Sequence, residues 1–287
     1  MKTFVSKFAG LAVALGVGVA SIAVAYAASG YPINKPKEIE WSFAGPFGTW
    51  DYPQLQRGWE IYANNCANCH SIDLIAFRNL QEIGFSENRV KAIAAEYDVE
   101  DGPNADGEMF DRSAKPVDRI PGPFENAEEA ASTHGIVPPD FSLLAKARAP
   151  ERGFPTFIFD IFTLYAENGP DYIYSLLTGY KDHTDAPANY ELTEDDNYNP
   201  YFISGPSIAM SPPLSEDNIW EYEDDDSVEP SLDQNAKDIS AFMMWAAEPK
   251  LVERKQLGFK VIIFLLIFSV LLYLTKKQVF LALKPKK

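Results

Sequence analysis

Apolar residues in this chain gather into two nearly unbroken runs near its ends and, between them, into stripes at helical spacing. The first run begins at Ala9 within "MKTFVSKFAGLAVALGVGVASIAVAYAASG", behind Lys2 and Lys7, and closes on Ala25-Tyr26-Ala27. A charged head, an apolar middle and an A-x-A ending predict a secretory signal cut after Ala27. An uncleaved N-terminal anchor is the other reading, and either one exports the domain behind it. The second run, Leu257 to Leu274, is 18 residues long and is interrupted only by Lys260. It predicts a helix that crosses a bilayer, with Lys260 snorkelling to the interface; a buried core helix is the weaker alternative. Lys276, Lys277, Lys284, Lys286 and Lys287 come next with no acidic residue, so the positive-inside rule puts that end in the cytoplasm. The predicted organisation is a leader (1–27), an exported domain (28–250), an anchor (251–275) and a basic tail (276–287).

Within the domain, Leu55, Trp59, Tyr62, Cys66 and Cys69 follow steps of 4, 3, 4 and 3, with Pro53 suited to a first turn. This predicts a helix running through both cysteines, with the thiols facing the same core as Trp59 and Tyr62. A second helix is predicted in "SLDQNAKDISAFMMWAAEP", where Ser231 and Gln234 form a capping-box pattern and Ala236, Ile239, Met243 and Ala246 share a stripe. The acidic "NADGEMFDR" and the proline-stiffened "GPSIAMSPPL" read as loops. There is no internal repeat and no long low-complexity segment.

Charge separates the domain from its flanks. The chain has 41 acidic and 25 basic residues, but residues 28–250 hold 40 of the former and only 15 of the latter, a net −25. Such a surface disfavours nucleic acid and anionic lipid and favours a basic partner. Solubility alone is the plainer explanation, and "EYEDDDSVE" (221–229) and "ELTEDD" (191–196) read equally well as solvated loops.

The only two cysteines lie in "NNCANCHSI" (64–72). Structural zinc needs about four ligands, and this chain offers one thiol pair and three histidines. A thioredoxin-like dithiol would start a helix after a strand, whereas this pair ends a helical pattern. C-x-x-C-H instead suits covalent haem: thiols at i and i+3 can each add to one vinyl group, and the next residue, His70, can reach the iron from the same side. Candidates for the other axial position are His134, His183, Met109, Met210, Met243 and Met244. Met243 and Met244 fall in the predicted helix, where core packing suits Met243 better, and Met109 sits in an acidic turn. The histidines default to surface or supporting positions. Met210, in the stiffened loop, is the choice, and a thioether opposite histidine raises the haem potential.

In chain order, "RGWEIYANNCANCHSI", "GPNADGEMFDR", "PPDFSLLAKAR", "DYIYSLLTGY", "NPYF", "IAMSPPL" and "MMWAAEPKLVERKQLGFK" resemble the landmarks of cytochrome c1, from about Trp41 onward. The resemblance implies a mainly α fold: an enlarged class I cytochrome c domain with long loops and one C-terminal transmembrane helix. It implies one haem c held through two thioethers at Cys66 and Cys69, with His70 and Met210 as iron ligands. It also matches Arg148 to an arginine that pairs with a haem propionate, although an ordinary surface arginine is the alternative. Tyr172 and Pro139 match haem-lining positions and could equally be plain core. The implied function is that of the electron-transfer subunit of the quinol–cytochrome c oxidoreductase (cytochrome bc1) complex, with no bond chemistry of its own. It would take single electrons from a Rieske iron–sulfur protein and pass them to a mobile or tethered cytochrome c, contributing to proton-motive force. The implied partners are cytochrome b, the Rieske protein, a basic cytochrome c and membrane lipid, in a dimeric complex with no nucleic acid. The implied location is the bacterial inner membrane, with the haem domain in the periplasm.

Three departures stand out. Phe141 replaces a more usual leucine after "PPD", and "STHGI" puts His134 where the family often has an asparagine pair. Residues 149–170 form an insertion whose apolar "FPTFIFDIF" suggests a partner contact, a membrane-surface contact or a local extension of the core. Two other classes of function fit less well. A free-standing tethered shuttle would be smaller and anchored at its N-terminus, and a peroxidase-like enzyme would need an open iron position.

Overall fold

The computed structural model describes residues 34–282 except 151, 154, 164–166, 189, 191, 194–195 and 223–226. The predicted leader, the run Asp224–Asp226 and the last three lysines of the tail lie outside the described residues. In chain order the described helices are α1 (Tyr52–Asn64), α2 (Glu87–Ala95), α3 (Ala127–His134), α4 (Leu144–Ala147), α5 (Thr156–Thr163), α6 (Asn168–Leu177), α7 (Leu232–Ala247) and α8 (Leu251–Ala282). Strand β1 (Asp98–Asp101) pairs antiparallel with β2 (Phe110–Ser113), and β3 (Asn197–Tyr198) pairs likewise with β4 (Ser207–Ile208). The mainly α expectation holds.

The chain divides into two compact units. The smaller contains Gly179–Ala209 together with Asn34 and Lys35, and is built on β3 and β4. There, Asn34 N donates to the Pro200 carbonyl (2.9 Å), and Lys181 N donates to the Tyr198 carbonyl (3.1 Å). The larger unit, Pro36–Thr178 with Met210–Lys287, holds the helical core and both cysteines.

The centre of the larger unit is the crossing of α1 and α7. Asp51 caps α1 by accepting from Gln54 N (3.2 Å), and Pro53 sits in the first turn as predicted. Leu55, Trp59 and Tyr62 are buried, and Phe242 of α7 meets the rings of Trp59 (6.0 Å) and Tyr62 (5.8 Å). Gly58 permits the approach: a Cβ there would lie 2.3 Å from the Asp238 carbonyl oxygen and 2.6 Å from Phe242 Cβ. Ala236, Ile239, Met243 and Ala246 are all buried, as their stripe predicts. Only half of the capping box forms. Ser231 Oγ accepts from Gln234 N (3.1 Å), but the Gln234 amide turns to Asp238 (2.7 Å).

That turn feeds a buried polar knot. Asp238 accepts from Arg57 Nε (2.7 Å), Gln54 Nε2 (3.1 Å) and the Tyr222 hydroxyl (2.7 Å). Asn235 donates to the same hydroxyl (2.9 Å). Arg57 is 5% exposed and Asp238 fully enclosed, so each charge depends on this network. Asp238→Ala is expected to cost ~3–5 kcal/mol by stranding the guanidinium. Denaturant unfolding followed by tryptophan fluorescence measures this, and an unchanged midpoint would mean that Arg57 is solvated after all.

The sequence stripe runs on through Cys66 and Cys69, yet α1 stops at Asn64. Asn65 leaves the helical path (φ −121°, ψ −57°), and its side-chain amide donates to the Pro213 carbonyl (2.9 Å). Asparagine side chains compete in this way with helix continuation. A 3-10 turn, Cys66–Asn68, comes next, and both cysteines are half-buried rather than in the core with Trp59 and Tyr62.

Residues 149–170 contribute α5, which carries Phe159 at 63% exposure. Arg152 bridges to Asp160 within the segment (2.9 Å) and ties it to Glu38 outside (2.6 Å). At the other end, α8 is one apolar helix of membrane-spanning length, fitting a single transmembrane anchor, and it continues through Lys276 and Lys277 to Ala282. Its first turns belong to the domain. Buried Lys255 donates to Glu167 (3.0 Å) and to the Phe43 carbonyl (2.8 Å), and Trp50 Nε1 donates to the Pro249 carbonyl (3.4 Å).

Candidate functional site

The end of α1 delivers the two cysteines and His70 as a compact turn. Cys69 N and His70 N both donate to the Cys66 carbonyl (3.1 and 2.9 Å), closing the backbone turn from Cys66 to His70. The Tyr62 hydroxyl donates to the His70 carbonyl (3.1 Å), fastening the turn to the core. Burial raises the Tyr62 phenol and so keeps it a donor.

The imidazole of His70 is 9% exposed and stacks on Phe141, with centroids 4.4 Å apart at 27°. Its Nδ1 lies 2.8 Å from the Pro139 carbonyl oxygen. That partner can only accept, so Nδ1 carries the proton and Nε2 presents its lone pair. This is the tautomer and orientation that a metal-ligating histidine needs. Burial lowers the His70 pKa and outweighs the opposing effect of the Pro139 bond, so the ring stays neutral.

The segment that supplies Pro139 is held in turn by the residues after His70. Asp140 Oδ2 accepts from Ser71 Oγ (2.9 Å) and Asp73 N (2.8 Å), while Oδ1 accepts from Ser142 N (2.8 Å). Phe141 N donates to the Ser71 carbonyl (2.8 Å), and Leu74 N donates to Ser142 Oγ (2.9 Å). Asp140 is an organising residue that sequence reasoning missed. Its signal is an Asx turn after two prolines, D-x-S, to which the family resemblance gives no role.

Burial pushes the Cys66 thiol up to about 12, the opposite of the lowered value that a reactive dithiol requires. Among the described residues no group of three or more His, Cys, Asp and Glu could hold a metal ion.

The sulfur candidates fall in different surroundings. Met243 and Met244 are buried inside α7, and Met109 is 53% exposed between β1 and β2. Met210 is half-buried in the loop after β4, and that loop meets the cysteine turn through the bond from Asn65 to Pro213. Beyond it, Trp220 is fixed by Asn235 through its N–H (2.8 Å) and carbonyl (3.1 Å), so the 210–222 strap is tied at both ends. His134 is exposed at the end of α3 against the edge of Phe124 (5.4 Å), and His183 is exposed in the smaller unit. Tyr172 is buried in α6, whereas Arg148 is exposed at the end of α4, with Nη1 3.4 Å from the Ala147 carbonyl. The geometry therefore joins Cys66, Cys69, His70 and Pro139, and ties in the Met210 loop through Asn65. Arg148 and Tyr172 stand on other elements.

These residues fit covalent haem. Two thiols stand one short turn apart, and a neutral imidazole with a fixed tautomer comes directly after them. Ile136, Val137 and Leu143, each more than half exposed, flank Pro139–Phe141 as an apolar rim that a porphyrin would cover. A C-x-x-C-H turn in a mainly helical domain that ends in one membrane-length helix defines the class of membrane-anchored c-type cytochromes.

The Cytochrome C1 family profile matches residues 41–283. The chain is 42% identical to a cytochrome c1 of Blastochloris viridis, covering 92% of each chain. It is 40% identical to a cytochrome c1 of Rhodospirillum rubrum, over 83% of this chain and 84% of that one. It is also 44% identical to a cytochrome b/c1 of Bradyrhizobium diazoefficiens, over 92% of this chain but only 40% of that longer protein. The chain belongs to the cytochrome c1 family.

Proposed function

We propose that this chain is the haem c subunit of a bacterial quinol–cytochrome c oxidoreductase, accepting single electrons from a Rieske protein and passing them to a cytochrome c. The observation that carries this is His70, directly after the two-cysteine turn, with Nδ1 held by Pro139 and Nε2 left to ligate, in a chain of the cytochrome c1 family. When bound, haem c supplies a one-electron redox centre. Cys66 and Cys69 hold it by two thioethers, and His70 and Met210 ligate its iron. Pro139 and Tyr172 wall it from water, and Arg148 pairs with a propionate. The domain itself makes and breaks no substrate bonds; that chemistry belongs to the assembled, dimeric complex. The relative named cytochrome b/c1 supports association with cytochrome b. The leader is cut after Ala27, residues 28–250 stand in the periplasm, and the lysine-rich end of α8 lies on the cytoplasmic side of the inner membrane.

Gentle solubilisation followed by isolation on the haem absorbance tests this reading. Cytochrome b and a Rieske protein should accompany the chain. Recovery of the chain alone with its haem would favour a free-standing shuttle.

The net charge of −25 on residues 28–250 adds a kinetic expectation. Reduction of a basic cytochrome c should slow steeply as salt shortens the Debye length to ~8–10 Å, while electron entry from the quinol side should hardly respond. Stopped flow over a salt series measures both. A flat rate would mean that the acidic surface serves solubility or that the acceptor is itself tethered.

A further inference from the structure

The turn Gly45-Pro46-Phe47-Gly48 lies outside the histidine cluster and carries a phenylalanine that is 70% exposed. The Phe47 ring stands edge-on to Phe259 of α8, with centroids 5.0 Å apart at 74°. The turn is tightly folded. Ala44 N donates to the Trp41 carbonyl (3.0 Å), and Thr49 N donates to the Ser42 carbonyl (2.9 Å). A Cβ on Gly48 would lie 2.2 Å from the Phe43 carbonyl carbon, so only glycine allows the chain to close there. The base of the turn is also the socket of the anchor. Phe43 packs against Trp50 (4.8 Å), and its carbonyl accepts from Lys255. Phe47 is thus held out beside α8 by a framework that shares its parts with the head of that helix.

The level of Phe259 in the bilayer is set by helix geometry. A hydrocarbon core takes about 20 helical residues. Counted back from Lys276, it begins near Gln256; counted from Leu281, where the apolar helix ends, it begins near Val261. Phe259 lies at the membrane boundary on either count, and Lys260 next to it can snorkel outward. Phe47 shares that boundary. Its apolar surface continues that of α8, where Ile262, one turn on from Phe259, is 52% exposed.

We propose that Phe47 inserts into the lipid interface as a second apolar foot of the domain, with the headgroup–acyl boundary as its partner. Apolar side chains placed at that depth gain by burial in proportion to their area. A domain of net charge −25 draws no attraction from anionic headgroups, so an apolar contact suits its underside.

Photo-crosslinking in native membranes tests this, using the full chain with Phe47→p-benzoylphenylalanine. The same probe at Leu266 serves as the lipid control, and at exposed Val117 as the aqueous control. Position 47 is exposed, so the fold tolerates the substitution, and haem staining verifies it. The expected result is an adduct heavier by one phospholipid at 47 and at 266, with none at 117. An adduct to another protein chain would overturn the proposal, because the partner would then be a subunit. Absence of an adduct at 47 while 266 reacts would overturn it equally.

Discussion

Met210→Leu is expected to leave haem covalently attached while its midpoint potential falls steeply. The side chain sits half-buried in a loop fastened to the cysteine turn by Asn65 and to α7 through Trp220, so leucine can occupy the same space without loosening the strap. What is lost is the thioether, which favours reduced iron over oxidised iron. For a one-electron centre a change of ~59 mV is already tenfold in equilibrium. If Met210 ligates the iron as proposed, its loss should amount to several such steps, on the order of 0.2 V, within the ~0.8 V range that axial ligands span. Electrons should then stall upstream and quinol oxidation should slow with them. Potentiometric titration of the haem band reads the shift. An unchanged potential would move the assignment to another sulfur, with Met109 next to be replaced.

Cys66→Ser and Cys69→Ser should each reduce or abolish stable haem incorporation. The chain has no third cysteine, so a single replacement leaves one thioether to hold the whole porphyrin. Neither variant touches the fastening of the turn, since Tyr62 still donates to the His70 carbonyl and His70 still meets Pro139. Loss of haem with a folded domain is therefore the expected combination. Haem staining of denaturing gels, with circular dichroism on the same samples, separates this from unfolding. A wild-type chain that never stains would remove covalent haem from the picture altogether.

The parts of the site that could be read directly from sequence are those whose partners are neighbours. Cys66, Cys69 and His70 declare themselves within five positions, and α7 and α8 are legible as stripes and runs. Family resemblance marks Pro139 as a haem-lining position, but the role of its carbonyl, 69 positions from the ring it orients, is not legible in the sequence, because backbone carbonyls leave no mark in composition. Arg57 and Asp238, 181 positions apart, look like two ordinary surface charges until α1 and α7 cross. The overextended helix has a simpler cause. A step of three residues keeps Cys66 and Cys69 on one side in a 3-10 turn as readily as in an α-helix, so the stripe could not show where α1 ended.

Lys255 and Glu167 have a mechanical meaning as well as a structural one. A membrane segment joined to its domain by a slack linker would be a leash, letting the site tilt and roam above the bilayer. Here the ammonium at the head of α8 is enclosed against a carboxylate and the Phe43 carbonyl, and only Glu248-Pro249-Lys250 separates α7 from α8. Removing one partner of such an enclosed pair costs ~3–5 kcal/mol, far above thermal energy. The helix is accordingly a pedestal. It sets the height and bearing of His70 over the membrane, and any carrier exchanging electrons at that spot has to do the travelling itself.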